Sequence, residues 1–175
     1  MNKLSFFGVG PKIGRVLLPW LAFTIVLSCT TSQLFTFTSE KNSILINSGI
    51  VLLIVGLFFY FSAIRFLLKG LKETRLVTKG PYYLCQNPLY VAIILFVIPA
   101  LAFLLNSWLI LTSTLVGYIL LKVFIKREYS EMEKFFGEDY LKYKTDTPEI
   151  FPFPITKWVK WTTSLQRWRG FSRKT

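Results

Sequence analysis

The residues best suited to chemistry in this chain are an acid and a row of mostly aromatic side chains that follow an apolar run. Glu128 comes shortly after that run. The residues that follow it recur at spacings of 3, 4, 4 and 3, which is typical of one face of a helix; they are Tyr129, Met132, Phe136, Tyr140 and Tyr143. A carboxylate at the membrane end of such a helix is costly unless it is paired, and the nearby cations are Arg127, Lys126 and Lys122. Glu128 is therefore a candidate catalytic residue, with a solvated glutamate on an interfacial helix as the alternative.

A second group of candidates lies upstream, between residues 74 and 90. Gly80-Pro81 marks a turn. Pro88 suits the first turn of a helix, where its missing N–H costs nothing, and Asn87 can then cap that helix. Taken alone, Asn87-Pro88 is better explained by a capped helix start than by a functional site.

The missing residue types narrow the chemistry. The chain contains no histidine, which excludes an imidazole base and a histidine-ligated metal, and we predict no metal site. It has no nucleophile elbow, P-loop or dinucleotide fingerprint. Its two cysteines provide no disulfide framework.

Long uncharged segments must position these groups. A bilayer-spanning helix takes about 20 apolar residues, and 53% of this chain is hydrophobic while only 17% is charged. Asn106-Ser107 supplies a turn within the longest uncharged segment. We therefore predict four transmembrane helices, over roughly 16–37, 44–65, 88–105 and 107–126.

The basic residues predict the orientation. They are frequent before the first span, rare in the loop of Glu40 and Lys41, frequent in the loop 66–87, and absent from the next turn. After residue 121 there are twelve basic and seven acidic residues. This alternation is the positive-inside pattern with both termini cytoplasmic. It accounts for the net charge of +12 through topology and anionic lipid headgroups, and no nucleic-acid motif accompanies it.

The predicted fold class is an all-α polytopic membrane protein that forms one domain over residues 1–175. Besides the four spans it has a cytoplasmic loop over 66–87 and a cytoplasmic amphipathic helix over 127–144. The tail over 155–175 carries Trp158, Trp161 and Trp168 at helical spacing among basic residues, which predicts an interfacial anchor. Membrane lipids are therefore expected partners, and nucleic acid is not.

Two cytoplasmic segments together resemble the superfamily of isoprenylcysteine carboxyl methyltransferases and phospholipid methyltransferases. Residues 76–82 read LVTKGPY, and residues 86–90 read QNPLY at the start of a span. After a two-span hairpin, residues 128–143 read EYSEMEKFFGEDYLKY, followed by Pro148. Many members have Arg-His where this chain has Gln86-Asn87, and a second glutamate where it has Tyr129.

The resemblance implies an integral-membrane methyltransferase that uses S-adenosylmethionine. It implies that the nucleotide part of the cofactor lies against Arg75, Leu76, Val77 and Tyr82. Further cofactor contacts would come from the residues that begin the third span and from the amphipathic helix, which are Gln86, Asn87, Pro88, Tyr90 and Glu128. The implied catalytic residues are Glu128, Arg127 and Tyr90.

The sequence does not determine the identity of the methyl acceptor. A lipophilic small molecule or a lipid-modified acceptor with a carboxylate needs no general base, whereas an amine must lose a proton, for which the chain offers Glu128, a tyrosine or water. The alternatives are a phospholipid amine N-methyltransferase and, in a different class, a non-catalytic membrane scaffold protein. A membrane sterol reductase has a similar C-terminal end and uses NADPH, but this chain is too short for its spans.

Overall fold

The computed structural model of the protein describes residues 8–39 and 42–150. The interfacial tail predicted over 155–175, like Glu40 and Lys41, lies outside these residues. The helices of the described part are α1 (Gly10–Thr30), α2 (Ser32–Phe35), α3 (Ser43–Glu73), α4 (Pro81–Leu84), α5 (Pro88–Leu104), α6 (Leu111–Phe136) and α7 (Glu138–Asp146). A 3₁₀ turn over Trp108–Ile110 leads into α6.

The predicted all-α membrane class is confirmed. Among the described residues, three helical segments are long and apolar enough to cross a bilayer, namely Gly10–Thr30, Ser43–Glu73 and Trp108–Phe136, and α5 is a shorter apolar helix. Helix α3 extends well past the predicted end at residue 65, so that the first part of the predicted loop 66–87 is helical. It ends at Glu73, and the next residue, Thr74, has a left-handed backbone (φ 50°) and donates its N–H to the carbonyls of Gly70 and Leu71.

The helix predicted over 127–144 differs from the observed structure. Helix α6 continues without a break from the predicted fourth span to Phe136. Gly137 then has a positive φ of 55°, which ends α6, and α7 starts at Glu138. The site-bearing segment is thus the end of a spanning helix plus a short helix that turns away from it.

Helix α5 is irregular near its middle. It starts at Pro88, as predicted, and residues Ala92–Val97 form a π-helix. Pro99 lies two residues after its end and has no N–H for the carbonyl four residues before it, so the regular hydrogen-bond ladder is interrupted there.

Small residues allow close approach between α3 and α5. The buried positions of α3 are Gly49, Gly56, Ala63 and Gly70, each seven residues after the last. A Cβ added at Gly56 would lie 2.7 Å from the Cβ of Phe96 on α5. Such a small-residue face is a common way for helices to pack within a bilayer.

Buried hydroxyl groups join α1 to the second half of the hairpin. Thr24 and Ser113 are 3.3 Å apart through their hydroxyl oxygens, and Ser28 and Ser107 are 2.7 Å apart. All four residues are buried. Helix α1 is therefore fixed against α6, which brings its N-terminal end to the same end of the bundle as the start of α5 and the end of α6.

Candidate active site

A half-open cavity of about 640 Å³ lies where α3, α5, α6, α7 and the segment 74–90 meet. This volume falls within the usual range of small-molecule sites, about 300–1,000 Å³. Its surface is mainly apolar, with tyrosines and a few charged groups. The predicted cofactor residues all line it, namely Arg75, Leu76, Val77, Tyr82, Gln86, Asn87, Pro88, Tyr90 and Glu128.

Arg127 is the predicted site residue that the fold places elsewhere. It does not line the cavity. Its Nε lies 3.1 Å from Oε1 of Glu131 on the next turn, and its side chain is 70% exposed. Arg127 is therefore positioned as a surface residue and not beside the other candidates.

Glu128 is half-buried and is held by neutral donors. Its Oε2 accepts a hydrogen bond from the Val9 N–H at 3.1 Å and from the Tyr90 hydroxyl at 3.4 Å. Within residues 8–39 and 42–150, none of the ion pairs includes Glu128. The sequence-based expectation of a paired cation is wrong for Lys122 and Arg127, because Lys122 pairs with Glu149 and Arg127 pairs with Glu131.

Asn87 connects three elements at the edge of the cavity. Its side chain does not cap α5 as predicted. The amide Nδ2 instead makes a short hydrogen bond to the Tyr129 hydroxyl and donates to the Glu149 carbonyl at 3.0 Å. The start of α5, the end of α6 and the segment after α7 are thereby tied together.

Gln86 binds the same segment after α7. Its backbone N–H donates to the Pro148 carbonyl at 2.9 Å, and its Nε2 donates to the carbonyls of Lys144 and Thr147. Because both Nε2 partners are carbonyls, the orientation of the amide is fixed. The remaining Oε1 is buried without a hydrogen-bond partner among the described residues, so it is available as an acceptor for a donor group of a ligand.

Tyr143 holds the wall formed by α4. Its hydroxyl donates to the Tyr82 carbonyl at 2.6 Å and lies 3.5 Å from the Cys85 carbonyl. Burial raises the pKa of both Tyr82 and Tyr143, and the negative charge of Glu128 raises the pKa of Tyr82 further. Both tyrosines therefore stay protonated at neutral pH. Burial also raises the pKa of Cys85 to about 12, so its thiol stays neutral.

Two glycines shape the segment that covers the end of α3. At Gly70 an added Cβ would collide with Val77, so the missing side chain lets residues 75–77 fold back over the helix. Gly80 has a positive φ of 64°, and an added Cβ would lie 2.5 Å from the ring of Phe66. These close approaches place Arg75, Leu76 and Val77 along one side of the cavity.

The structure adds lining residues that the sequence did not suggest. They come from the C-terminal end of α3, from the C-terminal part of α6 and from the residues just before α1, and include Leu67, Leu71, Glu131, Phe135 and Gly8. Gly70, in a helix interior, was a detectable signal of close packing. The aromatic face predicted from spacing does reach the cavity, since Tyr129, Met132, Phe136, Tyr140 and Tyr143 all line it despite the break at Gly137.

The fold and site together define a helical membrane protein with a small-molecule cavity at one end of its bundle, walled by tyrosines and one carboxylate held by neutral donors. Among the described residues, no cluster of three His, Cys, Asp or Glu side chains could hold a metal ion. The model of the phospholipid methyltransferase family matches residues 44–139, which is more than half of the chain, so the chain belongs to that family. No curated protein and no solved structure matches the chain significantly. The superfamily suggested by the sequence blocks is thus confirmed, and membership supports a membrane methyltransferase.

Proposed function

We propose that this protein is an integral-membrane methyltransferase that uses S-adenosylmethionine, bound in the cavity described above, to methylate a lipophilic acceptor. The observation that carries the proposal is the position of Glu128. It brings a carboxylate without a cation partner in the described residues into a cavity walled by Tyr82, Tyr90 and other tyrosines. Such a site suits a ligand with positive charge.

The residues of the cavity fit this cofactor. When bound, it supplies an electrophilic methyl group on a positively charged sulfur and also carries an ammonium group. Glu128 can accept a charge-assisted hydrogen bond from an ammonium, and tyrosine rings attract a cation by about 0.5–2 kcal/mol. The Arg75 side chain also lines the cavity, but it is 75% exposed and pairs with Glu73 at 3.0 Å, so its charge opposes a cationic ligand only weakly. The buried Oε1 of Gln86 can accept an N–H from the ligand.

The chain's own residues would act mainly by alignment. Methyl transfer is an in-line displacement that requires the acceptor at near-attack distance. Tyr90 and Glu128 are joined by a hydrogen bond and line the same side of the cavity, so together they can orient a polar acceptor group. The apolar side chains Leu67, Leu71 and Met132 provide a surface for a lipid chain. We propose Glu128 and Tyr90 as the catalytic residues and give Arg127 no direct role.

The acceptor class distinguishes two versions of this proposal. The first is a carboxylate acceptor of the isoprenylcysteine type. The second is the amine of a phospholipid headgroup, which the description of the matched family supports. Incubating membranes that contain the protein with methyl-labelled cofactor separates them, since base-labile label indicates an ester and base-stable label in lipid indicates an amine.

We propose that the cavity faces the cytoplasm and that both termini lie on that side. The support is the abundance of Lys and Arg before α1, in residues 65–79 and after residue 121. A cysteine introduced at exposed Asp139 should react with an impermeant maleimide only from the cytoplasmic side. Labelling only from the opposite side would show that the protein has the reverse topology.

Binding of S-adenosylhomocysteine to the purified protein in detergent, measured by isothermal titration calorimetry, tests the central proposal. We expect binding by the wild type and a loss of about 10-fold or more for Glu128→Gln, because a hydrogen bond to a charged group contributes about 1.5–3 kcal/mol. Glu133→Gln is the matched control, since Glu133 is exposed on the same helix and does not line the cavity.

The outcomes separate an enzyme from a scaffold. Absence of binding by the wild type would contradict the proposal. If Glu128→Gln and Tyr90→Phe both preserve abundance and the cellular phenotype, the non-catalytic scaffold is supported instead.

A further inference from the structure

The N-terminal end of α1 lies directly against the proposed catalytic carboxylate. The Val9 N–H donates to Oε2 of Glu128 across a sequence separation of 119 residues. Gly8 lines the cavity, and Gly10 lies next to the Tyr90 hydroxyl. The family match begins at residue 44, so this contact comes from a segment outside the matched region.

We propose that Gly8 and Val9 form a positioning element of the active site, which holds one oxygen of Glu128 and leaves the other for the positive charge of a ligand. This inference rests on the proposed function and assigns the start of α1 a part in it. Neither residue touches the reacting atoms. Both act through Glu128.

Val9 is held firmly enough to position its partner. Its side chain is only 4% exposed and belongs to the hydrophobic core with Ile13 and Leu17. Its carbonyl accepts the N–H groups of Lys12 and Ile13, so Val9 is the residue that begins the hydrogen bonding of α1. Its own N–H has no partner inside the helix and is free to donate to the carboxylate.

The end of the helix also stabilises the charge of Glu128. The N-terminus of an α-helix carries a partial positive charge that favours a nearby anion. Glu128 has no ion pair within the described ranges, and this effect offsets part of the cost of burying its charge. A lysine or arginine in the same place would compete with a cationic ligand for the carboxylate, whereas a backbone N–H leaves that charge available.

Gly8 fits this place because it has no side chain. Its φ of +48° disfavours other residues. A Cβ at this position would lie 2.5 Å from Oε2 and 2.8 Å from Cδ of Glu128, so a substitution must displace the carboxylate or the chain. The close approach is what brings the Val9 N–H within hydrogen-bond distance.

The two oxygens of Glu128 are unequal as a result. Oε2 accepts both the Val9 N–H and the Tyr90 hydroxyl. No hydrogen bond from residues 8–39 or 42–150 reaches Oε1. The ligand would therefore bind Oε1, while Oε2 fixes the rotamer.

A double-mutant cycle tests the inference. Gly8→Ala is made in the wild type and in Glu128→Gln, with Gly14→Ala as the control, because a Cβ at Gly14 would only touch Leu18 at an ordinary 3.9 Å. We expect Gly8→Ala to lower kcat/KM by about 100-fold, as for a misplacement of about 1 Å. In the Glu128→Gln background its additional effect should be no more than about twofold. Gly14→Ala should leave kcat/KM unchanged.

Thermal unfolding provides a second cycle that needs no activity. Gly8→Ala should lower Tm in the wild type, and part of that loss should disappear in Glu128→Ala, where the colliding carboxylate is gone. The inference is overturned if Gly8→Ala behaves like Gly14→Ala. It is also overturned if Gly8→Ala lowers kcat/KM equally in the wild type and in Glu128→Gln. If the effects of Gly8→Ala and Glu128→Ala on Tm are coupled but the wild type does not bind the cofactor, the proposed function is contradicted instead.

Discussion

Replacing Asn87 by alanine removes a side chain that joins α5, α6 and the segment after α7. Asn87 is 5% exposed, and its amide donates to the Tyr129 hydroxyl and the Glu149 carbonyl. Each hydrogen bond contributes about 1 kcal/mol net, so we expect Asn87→Ala to lower the free energy of unfolding by about 2 kcal/mol. For a chain of this length this corresponds to a fall in Tm of about 4–8 °C.

The matched variant Tyr129→Phe removes only one of these bonds. Its expected loss is about 1 kcal/mol, or about 2–4 °C in Tm. The double variant should lose no more than Asn87→Ala alone, because the shared bond is lost only once. Tyr118→Phe, a change on the exposed face of the same helix, serves as the control and should leave Tm unchanged.

Fluorescence-monitored unfolding in detergent measures these shifts, and titration with S-adenosylhomocysteine shows whether they reach the cavity. We expect weaker binding by Asn87→Ala, since Asn87 and Tyr129 both line it. Losses of Tm that add fully in the double variant would refute the proposed coupling between the two side chains.

Three further predictions follow from the packing. Gly56→Leu should force α3 and α5 apart and lower the free energy of unfolding by about 1–3 kcal/mol or more, which thermal unfolding can measure. In a Cys29→Ser variant, Cys85 should resist labelling by maleimide at pH 8 until the protein is unfolded in SDS. The reason is that Cys85 is fully buried and burial raises its pKa to about 12. Rapid labelling of the folded protein would contradict this buried position. Arg127→Ala should change methyl transfer by less than about fivefold, as expected when an exposed ion pair is lost, and a larger loss would restore Arg127 as a catalytic candidate.

The sequence alone was sufficient for the helical class, and the cofactor residues that the family resemblance implied do line the cavity. Within a bilayer backbone N–H and C=O groups must find partners inside the protein, and an uncharged run of about 20 residues meets this need as a single spanning helix. The order of the motifs was equally informative. A hairpin of α5 and α6 necessarily brings residues 86–90 near residues 128–143, since its two ends lie on the same side.

Sequence reasoning was less successful at helix ends and at the partners of polar groups. The continuation of α6 to Phe136 and the break at Gly137 depend on local backbone conformation that hydropathy does not report. Asn87 has the residue type of a helix cap, yet its amide reaches Tyr129 because that hydroxyl lies within range in the folded chain. Notably, Asn87 and Tyr129 are two positions at which the chain departs from the superfamily pattern, and they contact each other.

Only the tertiary structure assigned the neighbours of Glu128. From the sequence, the adjacent lysines and arginine were the natural partners, because electrostatic attraction favours the nearest opposite charge. In the folded protein, Lys122 and Arg127 pair with Glu149 and Glu131, and α1 presents the Val9 N–H instead. That contact depends on the axial position of α1 against α6, which is set by buried contacts such as Thr24 with Ser113 and Ser28 with Ser107. Composition and spacing determine that helices form and which faces are apolar, but the register between helices is decided by side-chain packing over the whole bundle.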